Sequence, residues 1–562
     1  MTAPALRIAN CSGFYGDRLS AMREQLEGGE VDVVTGDYLA ELTMLILGKA
    51  RMKDADKGWA TTFLRQLQDC LALALERGVK VVSNAGGLNP QGLRAAVEAL
   101  GLGARVATVS GDDVLGRDVG VPGDLLTANA YLGCWGVVRA LEAGADVVVT
   151  GRVTDASLVV GPAAWHHGWT RDDLDALAGA TVAGHVLECG TQATGGNFSL
   201  FTDLPEGAVD RPAFPLAEVD ADGSFVVTKH EGTGGAVTVA TVTEQLLYEL
   251  TGTRYGGPDV VTRFDDLRLE QQGPDRVRVT GARGLAPSGR LKVATNRLGG
   301  FRNTMVLPLV GLHVEQKAAL LQRQLAPVLE GIAEVDVALA RTDRPDADVQ
   351  EEAAALLRVT VKDPDSAKVG RGFTAPVVEL GLASIPGFHS TAAPPAPSAY
   401  GVYAPGWVDA ADVPAVVGLP DGTTVEVAHA PPSRTPVDDG AAPEAPPLPA
   451  GPTRRVPLGT VAGARSGDKG GAATLGVYGR DDATYAWLAA TLTPERLQEL
   501  LPETAPLVVT RELLPTLRAV LFQVEGVLGE GAASGTRFDA QAKSIGEWLR
   551  SRVVDVPEAL LA

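Results

Sequence analysis

The stretch "VVTGRVTDAS", residues 148–157, passes from an apolar β-branched run into Gly, Arg, Thr and Asp within a few positions. A strand covered on both faces reads as continuous apolar residues, so the polar tail is where chemistry can begin. Arg152 and Asp155 flank that exit, where a guanidinium can clamp a carboxylate or phosphate or pair with the acid three residues on. Thr154, with Asp155 and Ser157, can also serve simply to cap the next helix. Asp37 and Glu41 stand four apart at the start of a predicted helix, which puts both carboxylates on one face, able to hold a cation or share a proton. The plainer role of such acids is to complement the helix dipole. Glu188 and Cys189 precede the glycine-rich "GTQATGGN", where a thiol is either an activated nucleophile or a buried apolar filler. His230 precedes "GTGG" and is the best placed of seven histidines for acid–base work. "ARSGDKGG", residues 464–471, crowds Arg465, Ser466, Asp468 and Lys469 among three glycines. A hairpin needs only one or two glycines and an Asp, so the extra cations point to a bound anion or to contact with the pocket of the larger domain.

These residues need elements to hold them. Over the first two hundred positions short apolar runs alternate with helical patterns: "LRIANCSG" with "DRLSAMREQLEGG", "VDVVTGDYLAELTMLILGKA" passing from strand to helix, then "VKVVSNAGG", "RVATVSGDD" and "ADVVVTG". "TANAYLGCWGVVRALEAG" reads as one helix. The alternation predicts an α/β fold with a mostly parallel sheet. Parallel crossovers bring every strand's C-terminal end to one edge, and ligands bind outside that edge. The exit loops there place Ser12, Asn84, Gly86 and Gly87 beside Arg152 and Thr154 as a shared pocket. The two glycine clusters add Gly195, Gly196, Asn197 and Gly234 as points where backbone amides approach a ligand closely.

The chain is too long, at 562 residues, for one core. The expected layout is a large α/β domain over 1–428, a stiff linker over 429–453 carrying eight prolines, and a C-terminal domain over 454–562. In the last, "YAWLAATLTPERLQELL" and "DAQAKSIGEWLRSRVV" read as single helices between strands, an order that suggests a ferredoxin-like α+β sandwich. A net charge of −20 argues against a nucleic-acid surface, since phosphate backbones need clustered Lys and Arg. Four scattered cysteines without CxxC spacing argue against structural zinc. With neither a signal sequence nor a membrane-spanning run, the expectation is a cytoplasmic protein. No Walker loop, dinucleotide fingerprint, GxSxG elbow or HExxH helix is present.

At "NCSGFYGD", "TGDYLAELTM", "SNAGGLNP", "VVTGRVTDAS", "HVLECGTQATGGNF", "HEGTGGAVTVATVTEQLLYEL" and "ARSGDKGG" the chain resembles the acyclic terpene utilisation protein A family, from about residue 5 to the end. The resemblance implies a setting in the breakdown of citronellol- and geraniol-type terpenes through branched acyl-CoA thioesters, alongside a biotin-dependent carboxylase and an enoyl-CoA hydratase. It carries no catalytic residue over.

The leading expectation is an enzyme, of lyase or hydratase type, on a branched acyl-CoA or carboxylic acid. Asp155, His230, Asp37, Glu41 and Glu188 are the acid–base candidates, and Arg152, Arg465 and Lys469 are the candidates for holding anionic groups. The CoA thioester is then a substrate and not a cofactor, and a homo-oligomer is expected. The alternative is a non-catalytic subunit that binds acyl-CoA or scaffolds the carboxylase. A third reading is a hydrolase with a divalent metal on Asp37, Glu41 and Asp155.

Overall fold

The computed structural model describes residues 4–432, 447 and 451–561, apart from the side chains of residues 41 and 42. The proline-rich segment expected over 429–453 falls largely outside them. The chain forms two compact units: residues up to 296 with 403–532 and 539 onward, and residues 297–402 with 533–538.

The first unit is built on a sheet that begins with β1 (Leu6–Asn10), β2 (Val33–Gly36), β3 (Lys80–Ser83) and β4 (Val106–Ser110). Between them lie α1 (Ala21–Gly28), α2 (Glu41–Lys53), α3 (Thr61–Glu76) and α4 (Pro90–Glu98). There follow β5 (Thr127–Ala130), α5 (Trp135–Glu142), β6 (Val147–Thr150), α6 (Ser157–His167) and α7 (Leu174–Glu188). β7 (Leu216–Val219), β8 (Phe225–Thr228) and α8 (Val239–Leu247) complete the part that positions the site.

The centre of the sheet runs β1-β2-β3-β6-β4, all parallel. Period-2 alternation divides its apolar residues between two helical layers. Val34 and Val81 pack with Phe63 of α3 and Leu93 of α4, whereas Val33 and Val82 pack with Leu158 of α6 and Val182 of α7. Burial on both faces is why these strands are short and almost wholly apolar.

The α/β expectation holds, with a mixed sheet: β7 and β8 continue it antiparallel on the β1 side, and Ala415–Gly418 with Thr424–Val427 on the β4 side. One predicted helix is corrected. "TANA" is strand β5, paired antiparallel with residues 293–296 of the long strand Arg290–Val310, and the helix starts only at Trp135. Thr and Asn gain little from a helix, Gly133 interrupts it, and a partner strand satisfies the backbone instead.

The C-terminal domain belongs to this first unit. Its sheet is antiparallel, in the order Ala462–Lys469, Ala472–Gly479, Ala519–Val524, Val509–Leu514. The helix expected over "YAWLAATLTPERLQELL" is two, Asp482–Thr491 and Pro494–Leu500, because Thr493 caps a new start and Pro494 takes its first position. The last helix is shorter than expected, Ile545–Arg550, and the chain leaves it as a strand, Val553–Pro557.

The second unit is a separate antiparallel layer. Glu334–Ala340 pairs with Ala354–Asp363, which pairs with the distal half of the long strand. Helix Val314–Leu329 buries Leu321 and Leu325 against Leu307 and Val359.

Candidate functional site

Register brings the strand exits to one level: Asn10 lies opposite Thr35, Gly36 opposite Ser83, Ser83 opposite Val149, and Val109 opposite Thr150. Beyond them the polar side chains interlock. Asp37 accepts from Leu39 N–H at 2.9 Å and from Asn84 Nδ2 at 2.6 Å, while Asn84 Oδ1 accepts from Tyr38 N–H at 2.8 Å. Gly86 can pass so close because it lacks a side chain: a Cβ there would lie 2.5 Å from the Thr150 carbonyl. Gly87 adopts φ +51 in the same turn.

Arg152 is the hub. Its backbone N–H donates to the buried Asp112 at 2.9 Å, Nη1 donates to the Leu39 carbonyl at 3.0 Å, and Nη2 pairs with Asp155 at 2.8 Å. Its guanidinium carbon sits 4.2 Å from the Tyr131 ring centroid. Burial would favour a neutral Arg152, but Asp155, Tyr131 and Asp37 around it hold the guanidinium firmly charged. Asp155 keeps 27% of its side chain exposed where Arg152 keeps 3%. Burial pushes the Asp155 carboxyl up to about 6 against the pull of Arg152, and Glu188 adds to the rise. Burial, then Asp155, pushes Asp37 well up as well. Two acids thus bear on one guanidinium at the strand exits.

The second domain closes on this point. Lys469, the last strand residue before the Gly470–Gly471 turn, pairs with Glu249 at 2.8 Å and also bears on Asp155 electrostatically. Glu249 adopts φ +57 just past the end of α8. Burial alone would raise its carboxyl, but Lys469 and Lys543 bring it down to about 2. Lys543 lies 3.5 Å from Asp468. A Cβ on Gly467 would meet the Tyr248 ring at 2.6 Å, so this hairpin is fitted closely to the end of α8. Glu188 ends α7 beside His185, at 3.2 Å, and its second carboxylate oxygen is buried without a hydrogen-bond partner.

Of the residues expected from sequence, Asp37, Asn84, Arg152, Asp155, Glu188 and Lys469 therefore meet. Others have internal duties. The expected shared helix face of Asp37 and Glu41 is corrected: α2 begins at Glu41, after an extended Ala40, and Asp37 stays outside it because its carboxylate is spent on Leu39 and Asn84. The Glu41 side chain lies outside the described residues. Ser12 is buried and donates to the Phe14 carbonyl at 2.9 Å, and Thr154 pairs with the Ser157 hydroxyl at 2.5 Å at the foot of α6. His230 packs on Gly28 and Gly29 at the end of α1, with Nε2 on the Gln25 carbonyl at 3.0 Å. Burial, with a smaller contribution from the charge of Arg7, lowers its pKa.

The space beside Gly195 is taken by Leu204 and Val209, beside Gly196 by Thr191, and beside Gly234 by the Arg211 carbonyl; these glycines admit protein where a ligand was expected. Arg465 donates to the carbonyl of Asn197 at 3.1 Å and to Gln192, stacking on Tyr248. Ser466 accepts from Gly546 N–H at 2.9 Å. Burial and Glu188 push the Cys189 thiol well up, the opposite of an activated thiolate.

Sequence reading missed Glu249, Tyr131, Lys292 and Tyr403, the last three of which line the Arg152 side. Tyr131 was hidden in the presumed helix, Glu249 lay near the end of "HEGTGGAVTVATVTEQLLYEL" without being singled out, and Lys292 and Tyr403 carried no motif. Among the described residues no group of three His, Cys, Asp or Glu side chains is placed to hold a metal ion, and no helix is long and apolar enough to cross a membrane. A cavity of 390 Å³ lies elsewhere, lined by Arg117, Arg290, Trp407 and Asp412 among others. It holds none of the residues that meet at the strand exits.

The fold is that of an α/β protein in which a ferredoxin-like domain brings a lysine to the C-terminal edge of the parallel strands at the centre of a mixed sheet. The sequence matches the acyclic terpene utilisation family protein AtuA over residues 6–419 and the AtuA ferredoxin-like domain over 456–555. The chain belongs to the AtuA family. No curated protein matches it.

Proposed function

We propose that the chain is an enzyme of branched, isoprenoid-type acyl-CoA or carboxylic acid breakdown that works by acid–base chemistry next to a carbonyl. One observation carries this reading: a part-exposed carboxyl, Asp155, with its pKa near 6, beside a fixed cation at the C-terminal edge of a parallel sheet. As carboxylate it can take a proton from the carbon next to a carbonyl. Lys469, held charged by Glu249 against the cost of burial, is suited to stabilise the oxyanion that forms. Returned from Asp155 to the departing hydroxyl, that proton completes a dehydration; in hydration or carbon–carbon cleavage the carboxylate instead takes a proton from water or a β-hydroxyl and delivers it to the carbon next to the carbonyl.

The work belongs in the cytoplasm, with CoA thioester as substrate, a homo-oligomer as the working form, and the carboxylase or hydratase of the same route as natural partners. The test is the shift in melting temperature with free CoA, branched acyl-CoA thioesters and the matching acids. Ligand at 100 times its Kd stabilises a one-site protein by about 2.7 kcal/mol. A shift with thioesters or acids beyond that with CoA, followed by turnover of the same compounds, supports the reading. Binding without turnover, with carboxylase copurifying, replaces it with a scaffold.

A further inference from the structure

We propose that Arg152 and Lys292, which share the ring of Tyr131, form an oxyanion subsite for a carboxylate or phosphate group of the ligand. The inference rests on the reading above for the location of the site, and adds the charge its ligand must carry.

Lys292 lies near the start of the strand Arg290–Val310, and its carbonyl accepts from Tyr131 N–H at 2.8 Å, which locks the residue after β5 beside it. Its ammonium stands 5.4 Å from the Tyr131 ring centroid and 5.8 Å from that of Tyr403. Arg152 stands 4.2 Å from the same Tyr131 ring. Two like charges on one aromatic ring repel each other, and ring faces alone compensate a cation only in part. Carboxylates do not make up the difference. Among the described residues Lys292 makes no ion pair, and the guanidinium of Arg152 has one, with Asp155 at 2.8 Å. Arg152 Nε is moreover buried without a hydrogen-bond partner. Two cations thus share one ring with a single ion-paired carboxylate between them, and a ligand oxyanion is the chemistry that answers it.

The subsite also adjoins the reacting groups. A Cβ on Gly470 would lie 3.7 Å from the Tyr403 ring, so the turn that follows Lys469 borders the aromatic wall holding Lys292. A path of neighbours thus runs from Arg152 through Tyr131, Lys292 and Tyr403 to the hairpin and Lys469, which bears on Asp155. An oxyanion held at the subsite sits beside Asp155, which is bonded to Arg152 at 2.8 Å. The ligand class is an acid with a free carboxylate, or a thioester whose carrier brings phosphate.

The experiment titrates the full chain with glutarate, with its neutral dimethyl ester and with adenosine 3′,5′-bisphosphate, following heat of binding for the native protein and for Lys292→Met, Lys292→Gln and Asp155→Asn. Expected are binding of at least one anion, none of the ester, and a roughly tenfold or greater loss of affinity in the folded Lys292 variant, the scale of one charge-assisted contact. Stronger glutarate binding identifies a carboxylate and stronger bisphosphate binding a carrier phosphate. Asp155→Asn, which removes the carboxylate that competes for Arg152, is expected to bind the anion at least as tightly, so failure of the acid–base reading leaves this result standing. No anion binding by the native protein, or equal binding by a folded Lys292 variant, overturns the proposal.

Discussion

Asp155 is pressed from two sides: burial favours its proton, and Arg152 at 2.8 Å favours its charge. The balance near 6 leaves it ionised at neutral pH yet basic enough to accept a proton. Asp155→Asn should lower kcat by about two powers of ten, the usual scale of general acid–base catalysis. A general base must be ionised, so the native kcat should rise as pH rises through about 6 and level off above it. In Asp155→Asn that limb should vanish, and a pH–rate profile retaining it in the variant would assign it to another group.

At the scale of elements, the site depends on how closely the exits of β3 and β6 approach. Gly86 faces the Thr150 carbonyl with no room for a methyl group, and both partners are backbone. Gly86→Ala should therefore cost about 1–3 kcal/mol, measured as a fall in urea midpoint, by forcing two strand ends apart. Helix α8 gives a second case. Its Glu244 is buried, accepting from Ser199 N–H at 2.8 Å, from the Ser199 hydroxyl at 2.6 Å and from the Tyr478 hydroxyl of the C-terminal domain at 3.0 Å. Burial pushes its carboxyl from 4.5 up to about 7. A carboxyl whose folded pKa is raised contributes stability that is full below its unfolded value and is lost as pH rises through its folded value. For Glu244 that window is about pH 4.5 to 7, and its span is on the order of 3 kcal/mol. Melting temperatures of Glu244→Gln should fall less steeply across that window than those of the native protein; the slope is the readout, since the substitution also alters the baseline.

At the scale of the molecule, the C-terminal domain is part of the core it sits on. Tyr478, Leu514 and Leu521 share one apolar cluster with Leu246 and Leu247 of α8. A chain ending at residue 450 should expose that surface and lose both cations that hold Glu249 charged. It should aggregate and bind an apolar dye, and co-expression with residues 451–562 should restore solubility. A soluble, monodisperse product from the truncated chain alone would show that the two domains are independent.

The sequence by itself determined the layers and the edge. Alternating apolar strands and amphipathic helices allow few arrangements, and parallel register then carries Asn84, Arg152 and Asp155 to one side. For "ARSGDKGG" the excess of Arg and Lys over what a turn requires left a bound anion and contact with the large domain both open, and the second is seen in the Lys469–Glu249 pair. Tertiary structure alone decided the rest. Tyr131 follows a strand and not a helical turn only because residues 293–296 pair with β5, a partner more than 160 positions away in sequence. The two glycine clusters read as ligand cradles, since a missing side chain looks the same in sequence whether a ligand or the chain fills the space; here Thr191 and Arg211 fill it. Whether Asp155 titrates near 6 or near 4 likewise depends on what surrounds it, because desolvation and neighbouring charge come from residues that local sequence does not join.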